Sequence, residues 1–68
     1  MITCRDVLRR NIVIFRKWKG WTQFDLAEKL GKNKNTISLY ERGEIVPTPE
    51  VLDEMAILFG RSLSEFFK

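Results

Sequence analysis

The stretch from Asn33 to Gly43, NKNTISLYERG, concentrates side chains able to hydrogen-bond another molecule. Read as one short helix, it turns Ile37 and Tyr40 to one face and Lys34, Asn35, Ser38 and Leu39 to the other. An asparagine amide can bond bidentately to adenine N6/N7, and a lysine ammonium can donate to guanine O6/N7. Ser38 can meet several base edges, and Leu39 can touch a thymine methyl. Nothing in the chain offers catalysis instead. It has no histidine and no Gly-rich phosphate loop, so an enzyme is not expected. The single cysteine, Cys4, cannot form an internal disulfide, and no zinc site or other cofactor is expected.

Such a helix reads DNA only if a second helix props it at a steep angle. The sequence from Thr22 to Gly43 supplies the parts. Ala27 is small enough for close helix approach, Gly31 four residues later tolerates φ > 0 in the turn, and Ile37 can lock the second helix onto the first. This is helix-turn-helix spacing over about residues 23–41, with the second helix directed at the major groove. Thr22 and Asp25 form an aspartate variant of the capping box, and Asn33 is a suitable N-cap for the reading helix. A first helix over about Cys4–Trp18 puts Leu8, Ile12 and Phe15 in the core and stops before Gly20. Pro49 begins a fourth that buries Leu52, Met55, Ala56 and Phe59 and ends at Gly60. A short fifth follows Ser62, with Leu63 and Phe66 facing inward. The expectation is all-α: one compact five-helix domain over residues 1–68.

Composition agrees with a small binding module. No apolar run approaches the ~20 residues of a membrane span, and charges at Arg5, Asp6, Arg9 and Arg10 interrupt any signal-like segment. A cytoplasmic, reduced, metal-free protein is expected. Positive charge is concentrated: residues 1–42 hold ten Lys/Arg against four acids, +6, whereas residues 43–68 carry −3. The excess lies where a phosphate backbone would be met. Around the rim, Gln23 opens the second helix, where its amide and the free N–H groups can face a phosphate. Lys32 and Arg42 bracket the reading helix, and Thr36 can add a hydroxyl or bond to its own backbone.

The segments WTQFDLAEKLG, NTISLYERG with its following proline, and LDEMAILFGRSLSEFF together resemble the Cro and lambdoid-repressor class, the XRE family. The match runs from about Leu8 to Phe67. This resemblance implies a lambda repressor-like five-helix domain that binds operator DNA as a homodimer. It places Asn33, Lys34, Asn35, Ser38 and Leu39 at the groove floor and gives Gln23 a phosphate. Leu39 departs from the polar residue common at that position, as Arg61 does from a usual apolar one. The resemblance also pairs Arg16 with Glu41 inside the fold, as a structural ion pair rather than a contact to DNA.

A second apolar stripe, Cys4, Val7, Ile14 and Trp18, runs along the first helix and is interrupted by Asn11. Val13, Ile57, Leu58 and Phe67 are apolar where relatives often carry charge. Part of this surface is expected to pack the first helix on the fifth, and Ile57, Leu58 and Phe67 are candidates for a dimer interface. The function expected is sequence-specific regulation of transcription, as a repressor of bacterial or phage type, by a homodimer on a pseudo-palindromic operator. The competing reading is a protein-interaction module, an antitoxin or adaptor, that uses these apolar surfaces to hold a partner such as a toxin or polymerase.

Overall fold

The computed structural model describes all 68 residues. Four α-helices follow one another: α1 Cys4–Trp18, α2 Gln23–Leu30, α3 Lys34–Arg42 and α4 Pro49–Phe59. The fifth element is a 3₁₀ helix, η1, Leu63–Phe67, and not an α-helix. Five residues make too few i→i−4 bonds to hold an α-helix, whereas the tighter 3₁₀ turn is common in short pieces. There is no strand, and no helix is long and apolar enough to cross a membrane.

Each helix begins where its residues satisfy the free N–H groups of the first turn. Thr3, Thr22, Asn33 and Thr48 cap α1 to α4 with side-chain oxygens. In α1 and α2 an aspartate completes the box. Asp6 accepts from the Thr3 N–H at 3.1 Å, and Asp25 accepts from the Thr22 N–H at 2.9 Å. Before η1, the Glu65 carboxylate accepts from both the backbone N–H and the hydroxyl of Ser62, each at 3.1 Å.

The core is one cluster. Leu8, Ile12 and Phe15 of α1 meet Leu26, Ala27 and Leu30 of α2, Ile37 and Tyr40 of α3, and Val51, Leu52, Met55 and Phe59 of α4. Phe66 closes it from η1 and is fully buried, worth about 1.5–3 kcal/mol by burial alone. Its ring centroid lies 5.4 Å from Phe15 and 6.1 Å from Phe59 in tilted or edge-on contacts. With Phe66 filling that end of the core, Leu63 stays exposed, against the inward position expected for it. Ala56 is half-buried rather than buried. On α1, Ile14 packs partly on the core, whereas Cys4 and Trp18 are exposed, so the second apolar stripe is only half used.

Asn11 is buried in that stripe because it closes the chain end. Its amide N–H groups point at the carbonyls of Phe66 at 2.8 Å, Glu65 at 3.3 Å and Lys68 at 3.4 Å. These are carbonyls that a terminal turn leaves without helical partners. Arg61 is placed by its cation: the guanidinium stands 4.5 Å above the Trp18 ring and 4.8 Å above Phe15, with Glu65 paired to it at 3.1 Å. The cation thus covers aromatic surface that would otherwise meet water.

Two glycines carry the ends of the helix-turn-helix. Gly31 (φ 68°) and Gly43 (φ 76°) both adopt the left-handed conformation that ends α2 and α3. Their surroundings differ. A Cβ on Gly31 would meet open space, but one on Gly43 would stand 2.7 Å from Arg9 Cδ. Gly31→Ala is therefore expected to cost about 1 kcal/mol, the conformational term alone. Gly43→Ala is expected to cost more, about 2–3 kcal/mol, unless Arg9 gives way; paired urea denaturations check the order.

The capping carboxylates make a second prediction. Hydrogen bonds from the Thr3, Thr22 and Ser62 backbones, chiefly, hold Asp6, Asp25 and Glu65 below the usual carboxylate range. A carboxyl more acidic in the folded chain than in the unfolded one stabilises the fold above its ordinary pKa. That contribution is lost as pH falls through the lower folded value. Melting temperature is expected to hold level from pH 7 to about 5 and to decline below about pH 4. Asp25→Asn should flatten part of the decline in thermal melts followed by circular dichroism.

Candidate nucleic-acid interface

α3 is buried along Ile37, Tyr40 and Glu41, and this fixes which side chains it offers outward. Lys34 and Asn35 are exposed, and Ser38 and Leu39 are half-buried. One shallow concavity, lined only by polar residues, brings Gln23 of α2 together with Asn33, Lys34, Asn35 and Ser38. The structure thus brings together four of the five expected base contacts and one expected phosphate contact. Leu39, Lys32, Thr36 and Arg42 lie outside that concavity.

Several of these side chains already have partners. Asn33 uses its Oδ1 to accept from the Thr36 backbone N–H at 2.8 Å and from the Thr36 hydroxyl at 3.0 Å. The Thr36 hydroxyl is engaged by this cap, and the Asn33 amide nitrogen is left as its outward group. Arg42 pairs with Glu44 at 3.0 Å, with both side chains more than half exposed, so water competes for both ends of the pair. Lys32 is half-buried, and its backbone N–H closes the turn on the Ala27 carbonyl at 2.9 Å.

Beneath the concavity lies a buried ion pair. Arg16 Nε donates to Glu41 Oε2 at 2.6 Å and Nη2 to Oε1 at 3.1 Å, a two-bond fork. Both residues are only 8% exposed. Arg16 Nη1 also donates to the Trp21 carbonyl at 2.7 Å, and the Gln23 amide donates to Glu41 Oε1 at 3.0 Å. No buried side-chain nitrogen or oxygen is left without a partner. The pair joins α1, the α1–α2 connection, the start of α2 and the end of α3. The link between Gln23 and Glu41 has no local signal, because 18 residues separate them. Asn11 was more legible, since an amide within an apolar helical stripe marks a buried polar site.

Ile57 is 80% exposed on α4, and Phe67 is 44% exposed. Leu58 is half-buried and packs against the core, so only part of it is free for a partner. Val13, also half-buried, belongs to a separate groove with Ile2, Asp6, Arg9, Arg10 and Ile14.

With this geometry in place, the chain belongs to the helix-turn-helix family, whose model matches residues 12–66. It is an XRE-type DNA-binding protein and a member of a family of transcriptional regulators. It is 36% identical over 58 residues to the competence pilus inhibition repressor of Acinetobacter baylyi, covering 85% of this chain and 53% of that protein. The chain thus spans about half the length of that relative. It is 32% identical over 60 residues to the HTH-type transcriptional regulator YazB of Bacillus subtilis, covering 88% of this chain and 87% of YazB. The crystal structure of the hypothetical transcription factor NHTF from Neisseria has the same fold, with a TM-score of 0.88 and 29% identity, covering 97% of this chain and 76% of that one.

The ion pair yields its own prediction. Arg16→Met leaves the Glu41 carboxylate buried without its charge partner and is expected to cost about 3–5 kcal/mol. Arg16→Met/Glu41→Leu removes both charges and is expected to recover most of that loss, as chemical denaturation of the two variants would show.

Proposed function

We propose that the chain is a sequence-specific repressor that binds double-stranded DNA as a homodimer on a pseudo-palindromic operator. The observation that carries this reading is the polar concavity at the start of α3, set on a helix whose opposite face is locked into the core. α3 enters the major groove, with Asn33, Lys34, Asn35, Ser38 and Leu39 toward the base edges. The N–H groups at the start of α2, with Gln23, Lys32, Thr36 and Arg42, hold the backbone on either side. The charge of +6 on residues 1–42 favours this approach, whereas residues 43–68 carry −3. Repression is taken from the name of the Acinetobacter relative, and a regulator that acts on DNA would work in the cytoplasm.

Dimerisation through Ile57, Leu58 and Phe67 places two copies of α3 in successive major grooves, ~34 Å apart. The prominence of Ile57 supports this, since a side chain so exposed has most of its apolar surface still to bury. That same observation favours a second reading, in which the apolar surface holds a protein partner such as a toxin or polymerase, with or without DNA.

Selection from a randomised duplex library, followed by rebinding across a salt series, separates the two. An enriched inverted repeat with half-sites about one helical turn apart supports the dimeric repressor. Enrichment of no sequence refutes it and favours the partner reading. On the selected duplex, Asn35→Ala is expected to weaken binding by about 1–3 kcal/mol while leaving random DNA nearly unaffected. Arg42→Ala is expected to weaken all duplexes alike and to lower the salt slope by about one unit.

A further inference from the structure

Of the cations that the proposed DNA contacts use, Lys32, Lys34 and Arg42, only Arg42 is paired with a carboxylate of the chain. Its Nε stands 3.0 Å from Glu44 Oε2, and both side chains are more than half exposed. This proximity is built into the backbone that ends α3. The Gly43 N–H donates to the Tyr40 carbonyl at 3.1 Å, and the Glu44 N–H donates to the Leu39 carbonyl at 3.0 Å. The turn after the left-handed Gly43 is thereby closed on the last carbonyls of the helix. The Arg9 side chain lies against the same glycine. Glu44 is held beside the final helical residue, and its carboxylate reaches the guanidinium by side-chain rotation alone.

A guanidinium that already holds a carboxylate must exchange it for a phosphate oxygen before it can grip DNA. An exposed pair of this kind shifts an equilibrium by a few-fold and no more, so it opens readily. Its cost falls on a phosphate contact, which carries no sequence information. We infer that Glu44 is an intrachain competitor of the DNA backbone for Arg42, lowering affinity for every duplex alike. This rests on the DNA-binding reading above and on the phosphate contact that it gives to Arg42. The protein then leaves any duplex more readily, operator included, while its order of preference among sequences is set by α3. A carboxylate near DNA also repels phosphates through space, screened over ~10 Å at 0.1 M salt, but that effect does not require Arg42. The pairing does.

The test is a double-mutant cycle on the full chain, with the duplex chosen by library selection and a random duplex side by side. Glu44→Gln keeps the size of the side chain and removes its charge at an exposed position. It is expected to tighten binding to both duplexes about three- to fivefold at about 50 mM salt, with a smaller gain at about 200 mM. In an Arg42→Ala background the same substitution should gain less than about 1.5-fold. A gain of equal size with and without Arg42 means that Glu44 acts on DNA at a distance, and the inference fails. A gain confined to the selected duplex overturns it too, since the competition is for a phosphate.

A second measurement needs no DNA. In the free chain, the Arg42 Nε–Hε resonance should move when Glu44→Gln is introduced, because the nearest carboxylate is lost. An unmoved resonance means that the pair does not form in solution, and the inference fails. If the wild type selects no duplex at all, the DNA-binding reading fails and takes this one with it. If a duplex is selected and Arg42→Ala binds it as the wild type does, Arg42 is no clamp, and this inference fails while the rest of that reading stands.

Discussion

α3 has nine residues, and a helix of that length has little stability of its own in water. Its orientation must come from what it is fastened to, and the strongest fastening is the buried pair of Glu41 with Arg16. Two charges removed from water cost several kcal/mol unless nearly every lone pair and N–H is matched. Here the match is a two-bond fork, with the Trp21 carbonyl on the arginine side and the Gln23 amide on the carboxylate side. The pair therefore supplies geometry more than net stability. An apolar replacement of equal volume could fill the space, but it could not define the angle of α3 relative to α1 or orient an amide at the rim.

Apolar packing completes what the ion pair begins. Ala27 is almost fully buried where α2 meets α3, and Ile37 is wholly enclosed. At the other end, Phe15, Phe59 and Phe66 form a cluster that ties α1 to α4 and η1. The chain end is secured by Asn11 acting on carbonyls, and Arg61 covers aromatic faces that would otherwise meet water. A domain of this size has little core to spare. Polar side chains therefore take over tasks that a larger protein could leave to additional apolar layers.

The division of the surface follows from the same economy of core. One face of α3 is consumed by packing, so its other face is free to be polar without cost to the fold. That face collects the groups suited to hydrogen-bonding a base, while acidic residues gather on α4, at Glu50, Asp53 and Glu54. Among the apolar side chains that the core does not take up, Trp18, Phe24, Ile57 and Phe67 remain outside.

Local relationships were legible from the residues alone. The caps at Thr22 and Asn33, the turn at Gly31 and the inward pairing of Ile37 with Tyr40 depend on neighbours three to four residues away, and spacing encodes those directly. The helix-turn-helix and the residues it presents outward followed from them. The pairing of Arg16 with Glu41 came from resemblance, since periodicity does not connect residues 25 apart. Tertiary structure alone decided that Gln23 bonds to Glu41, that Asn11 closes the chain end, that Leu63 stays outside and that Arg61 stacks on aromatic rings. Each of these depends on which distant groups share a small volume after packing. A hydrogen bond or a stacked cation is chosen by distance and direction in space, and a linear pattern of residue types carries neither.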